Sequence, residues 1–372
     1  MRAVGMILAG GNSYRMKELS NKRAIAAMPV AGSYRSIDFV LSSMSNSHIQ
    51  KVAVLTQYNS RSLNEHLNSS KWWNFGRKQG GLFVFPPMVT ADNGFWYRGT
   101  ADAIHQNLRF LKNCHEPYVV LASGDGVYKL DFNKVLEYHI AKKADMTVVC
   151  KDVPASEDLT RFGVLKMNED CRIVQFDEKP MAANSHTISC GIYVVRRRQL
   201  IELIEKSAEE GRFDFVKDVL IRYKDVKRIY GYKMDSYWSN IASVESYYKT
   251  NMDFLKPEVR DYFFRQYPDV YSKVDDLPPA KYNPGCEVKN SLVSSGSIVN
   301  GYVENSLLFK KVFVGENCVI KNSIILNDVY LGDNVHLENC IVESRDTIRA
   351  NTYYNGEDGI KIVIESNERY VL

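Results

Sequence analysis

Several short stretches of this sequence combine residue types that could do chemistry on a phosphorylated substrate. Leu8-Ala9-Gly10-Gly11-Asn12-Ser13-Tyr14-Arg15 is a glycine-rich turn leaving an apolar run. Gly10 and Gly11 would let backbone N–H groups approach a phosphate or a base, and Arg15 adds a forked cation. A glycine pair is a weak signal by itself, and it does not fit G-x-G-x-x-G, which argues against a nicotinamide site. Trp96-Tyr97-Arg98-Gly99-Thr100-Ala101-Asp102 reads as a backbone-exposing turn before a helix. That turn is either a wall for a nucleotide base or an N-capped helix and nothing more. Ser123-Gly124-Asp125 follows an apolar run. Asp125 therefore stands at a strand's carboxyl end, where it is a turn residue or a ligand for Mg²⁺. Phe176-Asp177-Glu178-Lys179-Pro180 sets a carboxylate beside an ammonium ahead of a rigid turn, which is either a hydroxyl-and-phosphate clamp or an exposed ion pair. Ser189-Cys190-Gly191-Ile192-Tyr193 and Ser236-Tyr237-Trp238-Ser239-Asn240 complete the set.

These motifs need a scaffold, and the runs between them describe one. Val4 to Ala9, Val52 to Thr56, Tyr118 to Ala122, Met146 to Cys150 and Ile188 to Val195 are apolar throughout, as strands covered on both faces are. Leu200 to Gly211 and Asn133 to Lys143 carry a helical period. An α/β domain with a mixed sheet is expected over residues 1–255. Residues 256–285 hold Pro257, Pro268, Pro278, Pro279 and Pro284, too many for regular elements, and are expected to be a linker. Beyond it Asn290-Ser291-Leu292, Asn305-Ser306-Leu307, Asn322-Ser323-Ile324 and Asn339-Cys340-Ile341 recur, with aliphatic residues at 314, 320, 326, 331 and 337. That texture predicts a hexapeptide-type parallel β-helix over 286–372, of three or four coils, whose core is buried only by stacking. Its open end is a candidate subunit contact.

Bulk properties exclude several classes. At 372 residues two domains are expected, since single cores rarely grow beyond ~250 to 300. No apolar run approaches the roughly 18 residues of a membrane span, and the apolar start is too short for a signal core. A net charge of +4 is mild, so neither a membrane nor a nucleic-acid partner is expected, and the chain reads as cytoplasmic. Its seven cysteines lack C-x-x-C spacing, which suggests neither zinc nor disulfides. Arg196-Arg197-Arg198 reads as a solvated helix end rather than an anion site.

In this order the motifs resemble those of the ADP-glucose pyrophosphorylases, the glucose-1-phosphate adenylyltransferases of glycogen synthesis. The likeness runs through A-G-G-x-x-x-R, Y-R-x-I-D-F, W-Y-R-G-T-A-D-A-I, G-D, F-G-V-L at 162–165, E-K-P, S-x-G-I-Y, F-D-F-V-K-D at 213–218, Y-W, and L-P-P-A-K-Y at 277–282. It implies a Rossmann-like nucleotidyltransferase domain of GT-A type followed by a left-handed β-helix. It also implies Mg²⁺-assisted attack of glucose 1-phosphate on the α-phosphorus of ATP, and allosteric control. By the same resemblance, Gly10, Gly11, Arg15, Tyr97, Gly99, Gly163, Glu178, Lys179 and Ser189 are substrate-binding candidates, and Asp125 a metal ligand.

The departures are concentrated. Active relatives read G-G-x-G-[ST]-R-L in the first loop, whereas here Ser13 and Tyr14 replace the second glycine and the small hydroxyl residue. The family's R-A-K-P-A has become Arg23-Ala24-Ile25-Ala26-Ala27, so the lysine that would neutralise the transferring phosphates is missing. Asn240 stands where Y-W-x-D supplies the second metal carboxylate, and Gly126 where the family has histidine. The residues implied for glucose 1-phosphate are all retained. The pattern resembles the D-type regulatory subunits, which leads to the expectation of a non-catalytic partner in a heterotetramer, binding glucose 1-phosphate or a phosphorylated effector. A competent adenylyltransferase is the alternative. An acyltransferase using His336 is the third, and a β-helix acting as an oligomerisation platform explains the same residues with fewer assumptions.

Overall fold

A computed structural model describes residues 2–76, 80–88, 94, 96–357 and 359–365. The chain divides into two compact units that are not contiguous in sequence. One comprises Met1–Gly11 with Phe39–Trp238, the other Asn12–Asp38 with Ser239–Leu372. Residues 366–372 of the expected β-helix range lie outside the described residues.

The first unit is built on a nine-stranded mixed sheet, β1 (Ala3–Ala9), β2 (Lys51–Thr56), β3 (Gly81–Phe85), β4 (Tyr118–Ser123), β5 (Met146–Asp152), β6 (Gly163–Met167), β7 (Ile173–Glu178), β8 (Thr187–Arg196) and β9 (Ile229–Lys233). Its path runs β7-β6-β8-β4-β1-β2-β3, and β5 joins β8 to β9. Strands β4, β1, β2 and β3 are mutually parallel, whereas β8 runs antiparallel to β4, β5 and β6. Val4, Met6, Ala53, Leu55, Val119 and Leu121 join one core cluster beside residues of the covering helices, which is why these runs are apolar without alternation.

The helices include α1 (Ser36–Asn46), α2 (Arg61–His66), α3 (Thr100–Gln106), α4 (Leu108–Lys112), α5 (Phe132–Ala141) and α6 (Arg197–Glu209). Helix α6 buries Leu200, Leu203, Ile204 and Ser207 and ends at Gly211, whose φ of +69° a side chain would resist. Of the arginine triplet that opens α6, Arg197 is a structural clamp, donating to the carbonyls of Glu116 and Leu111 at 2.8 and 3.0 Å.

In the second unit, α7 (Val244–Asp253) opens with a capping box between Ser243 and Ser246. The proline-rich stretch departs from expectation. Helix α8 (Pro257–Phe264) lies inside it, because Pro257 occupies the first turn, where its missing N–H costs nothing. The first β-helix strand, Lys281–Tyr282, also falls within the stretch. Among the described residues the β-helix has five coils rather than three or four, forming three five-stranded parallel sheets. The recurring Asn-Ser-Leu has a mechanical meaning. Asn290, Asn305, Asn322 and Asn339 all turn the chain with φ between 41 and 53°. The hydroxyls of Ser291, Ser306 and Ser323 accept the backbone N–H of residues 306, 323 and 340 on the next coil. Val314, Ile320, Leu331 and Leu337 lie in one core with Val299, Val342 and Ile348. Leu326 is fully buried outside that cluster.

Candidate functional site

Register gathers the motifs of the first unit at one edge. Leu8 lies between Leu55 and Ser123, so the parallel strands β1, β2 and β4 release Gly10, Gln57 and Asp125 on the same side of the sheet. Carboxyl edges of parallel strands are where α/β sheets hold ligands. Strand β8 returns to that edge from the opposite direction. Its pairing with β5 slips between Ser189 and Ile192, a bulge around Gly191 at φ +69°. The Ser189 hydroxyl accepts Gly191 N–H at 3.3 Å and lies 3.4 Å from the Tyr193 hydroxyl. S-x-G-I-Y is thus a bulge signature that aims Ser189.

Next to it, Gly163 pairs with Glu178 across the β6–β7 hairpin. A Cβ at Gly163 would fall 2.6 Å from the Phe176 ring and 3.1 Å from Glu178 Oε2, so glycine makes room for that carboxylate. Burial pushes the Glu178 carboxyl above its usual range against the pull of Lys179, and Asp214 adds to the rise. Lys179 Nζ lies 3.5 Å from Glu178 Oε1, and its backbone holds φ +52° while its N–H donates to Phe162. Its side chain is 63% exposed, leaving the ammonium accessible to an anion. Of the two readings of E-K-P the structure shows the ion pair, with a cation that still faces solvent.

Two other candidates are occupied by the protein itself. The Tyr97 hydroxyl donates to Phe85 O at 3.1 Å and accepts from Asn107 at 2.9 Å. The side-chain amide of Gln57 holds the Tyr97 backbone at both N–H and C=O. Gly99 is no open wall for a base, since a Cβ there would meet Phe213 O at 2.4 Å. That same carbonyl accepts Ala101 N–H, while the Arg98 guanidinium covers the Phe213 ring at 3.7 Å. The motifs around 96–104 and 213–218 thus form one joint, in which the Ala101 and Asp102 N–H groups are spent on the Phe213 carbonyl. Asp125 accepts the Ser123 hydroxyl at 2.5 Å.

The remaining candidates belong to the second unit. Ser13 donates to Ala242 O at 2.7 Å, and Arg15 Nε reaches the hydroxyl of Tyr14, itself 84% exposed. Ile25 lies in the buried run from Arg23 to Val30. Arg23 explains that burial, because its guanidinium donates to Glu343 at 2.5 Å and to Ser344 at 3.1 Å in the β-helix. Arg23 stood in a motif but its pairing with Glu343 did not show in sequence, since 320 residues separate them. Asp38 of Y-R-x-I-D-F is likewise structural, accepting Arg35 N–H and the Ser272 hydroxyl. His336 is an exposed residue beside the Tyr353 ring.

Of the two carboxylates that the resemblance implies for Mg²⁺, this chain supplies Asp125 alone. Among the described residues no three His, Cys, Asp or Glu side chains form a group able to hold a metal ion. Asn240 Oδ1 accepts Ala242 N–H at 3.1 Å, so the neutral replacement for the second carboxylate is bound to its own turn. No helix among the described residues is long and apolar enough to cross a membrane.

Comparison with known proteins agrees with this architecture. The nucleotidyl transferase family profile matches residues 4–257, and the GlmU-like C-terminal hexapeptide profile matches 278–359, in keeping with a left-handed β-helix. A glucose-1-phosphate adenylyltransferase of Pseudothermotoga lettingae is 37% identical over 322 residues, covering 86% of this chain and 76% of the relative. Those of Clostridium novyi (39%, covering 85% and 84%) and Geobacillus stearothermophilus (37%, covering 86% and 83%) are similar to the same extent. The chain belongs to the glucose-1-phosphate adenylyltransferase family.

Proposed function

We propose that this chain is a non-catalytic, regulatory subunit of a glucose-1-phosphate adenylyltransferase, tuning a catalytic partner in a hetero-oligomer, most simply a heterotetramer. The observation that carries the reading is the state of Ile25 and Asn240. The first is a buried aliphatic residue where the family's lysine would meet phosphate, and the second has its amide oxygen turned onto Ala242 N–H. Nucleotidyl transfer builds negative charge on phosphate oxygens, and losing a cation there removes roughly 10² to 10³ in rate. Tyr14 adds bulk in the glycine-rich loop. Support for retained sugar-phosphate binding comes from Ser189, Gly163, Glu178 and Lys179, which share one edge, with the Lys179 ammonium facing solvent. A phosphorylated metabolite is the class of effector or ligand such an edge accepts.

The test is ADP-glucose synthesis and pyrophosphorolysis with Mg²⁺ present, by this chain alone, by the catalytic subunit from the same source, and by the two together. Silence alone with altered activity or effector response in the mixture is expected. Robust activity of the chain alone would overturn the reading and leave a competent enzyme. Ile25→Lys with Asn240→Asp should raise activity from a negligible base, whereas a site already working would gain little.

A further inference from the structure

The middle sheet of the β-helix, made of Glu287–Lys289, Tyr302–Glu304, Val319–Lys321, His336–Glu338 and Tyr353–Asn355, turns two columns of side chains outward. Between them Val288, Val303, Ile320, Leu337 and Tyr354 point to the core or pack on it. One outward column reads Glu287, Tyr302, Val319, His336 and Tyr353. The other reads Lys289, Glu304, Lys321, Glu338 and Asn355, an alternation of charge from coil to coil. None of these outward side chains is buried, and Tyr353 is 61% exposed.

Such alternation could serve the stack itself, yet among the described residues no ion pair joins these four charges to one another. Lys289 pairs instead with Glu287 of its own strand at 2.7 Å. Glu304 accepts the Tyr302 hydroxyl at 2.9 Å, and the Lys321 ammonium lies 5.9 Å from the Tyr302 ring centroid. The coil-to-coil attraction is left largely unused, and the pattern has a second property. A column reading plus, minus, plus, minus is complementary to itself only when one copy is turned end for end.

We propose that this face binds the same face of a second copy of the chain, about a two-fold axis parallel to the strands and passing between the second and third coils. That operation reverses the coil order and keeps each column facing its own kind. Lys289 then meets the partner's Glu338, and Glu304 meets the partner's Lys321. In the other column Glu287 meets the partner's His336, and Tyr302 meets the partner's Val319. The two-fold along the coil axis also faces Glu287 to the partner's Lys289 and His336 to the partner's Glu338, but it leaves Lys321 on the partner's Val319 and Glu304 on the partner's Tyr302 instead of giving each an opposite charge. Complementary charge sets register and orientation, and like charge opposite like charge rejects the wrong one. Only the first four coils meet the partner, and eight side chains a side cover less than the ~800 Å² per partner of a standard stable interface. The association is therefore weak and salt-sensitive on its own. The inference does not rest on the catalytic or regulatory role of the chain.

Sedimentation of the full chain across a concentration series, at about 0.05 M and about 0.5 M salt, reads it directly. Self-association at low salt that weakens at high salt is expected. Lys289→Glu with Lys321→Glu makes the column wholly acidic and should weaken the dimer tenfold or more. Adding Glu304→Lys and Glu338→Lys to that variant inverts the column, which is again self-complementary, so association should return to near the parent's. The acidic variant should also pair with the all-basic Glu304→Lys, Glu338→Lys variant. Melting temperatures of the same proteins report any effect on folding separately. A parent that stays monomeric at low salt, an acidic variant that associates like the parent, or an inverted variant that fails to associate while melting normally would each overturn the proposal.

Discussion

Arg23 and Glu343 form a buried ion pair, and Glu343 Oε2 has no partner among the described residues. Removing one charge strands the other, which typically costs ~3 to 5 kcal/mol, whereas removing both need not. Arg23→Met should therefore lower the urea midpoint of the second unit sharply, and Arg23→Met with Glu343→Leu should recover most of the loss. His139 is a histidine with no task at the site. Its Nδ1 meets Thr147 Oγ1 at 2.8 Å, its Nε2 has no partner among the described residues, and burial pulls its pKa from 6.5 down to about 4. Arg196 adds to that fall and Asp145 opposes it. The lowered value means the unfolded chain binds more protons between those pH values. Stability is then complete above 6.5 and declines as pH falls through the window, by about 3 kcal/mol at its foot. His139→Gln should flatten this fall in a melting series from pH 7 to 4.5. Lys179 belongs to the proposed ligand. A charge-assisted contact is worth ~1.5 to 3 kcal/mol, so Lys179→Met should weaken glucose 1-phosphate binding by calorimetry roughly tenfold or more. Unchanged affinity would remove that role.

Among the elements, the β-helix was the most legible in sequence because its signal is local and periodic. Each Asn-Ser-Leu marks one corner, with the asparagine taking the left-handed turn and the serine stitching one coil to the next. The first coil lies before the expected range and the last, though inside it, lacks the repeat, both for physical reasons. The first, at Lys281–Tyr282, follows Pro278 and Pro279, which precede the strand rather than break it. The last, through Lys361–Val363, lacks the asparagine-serine corner. The corner supports a prediction. Asn322 has φ +45°, and its side chain makes no hydrogen bond among the described residues. Asn322→Gly should be nearly neutral in melting temperature, whereas Asn322→Val should cost ~1 to 2 kcal/mol for forcing a β-branched residue left-handed. The site motifs were legible as a set of residue types, but not in what they do. Gly99 serves the Phe213 carbonyl and Gly191 serves a bulge, and the partners in both cases lie elsewhere in the chain.

At the scale of the whole molecule, sequence texture put a boundary where the composition changes, whereas folding drew it where the contacts are. Residues 12–38 read as an integral part of the first domain, yet they fold with 239–372. Nothing periodic announces this, because it rests on single distant pairings. Arg23 meets Glu343, Tyr34 stacks on Phe264 at 4.9 Å, Asp38 accepts Ser272, and Gly32 leaves room for the Ser294 hydroxyl. The division has a consequence for dissection. A fragment ending at residue 255, the limit suggested by composition, keeps Tyr247 and Asn251, which hold Pro29 O and Ala31 N–H. It loses Phe264, Ser272, Ser294 and Glu343 together. The run from Arg23 to Val30 is buried in the full chain and would then carry an unpaired cation and exposed apolar surface. Limited proteolysis should cut the 1–255 fragment within residues 12–38 well before the full chain, while the strands of the first unit's sheet resist in both. Equal resistance of 12–38 in fragment and full chain would mean that α7 alone organises this segment and that the β-helix contributes nothing to its fold.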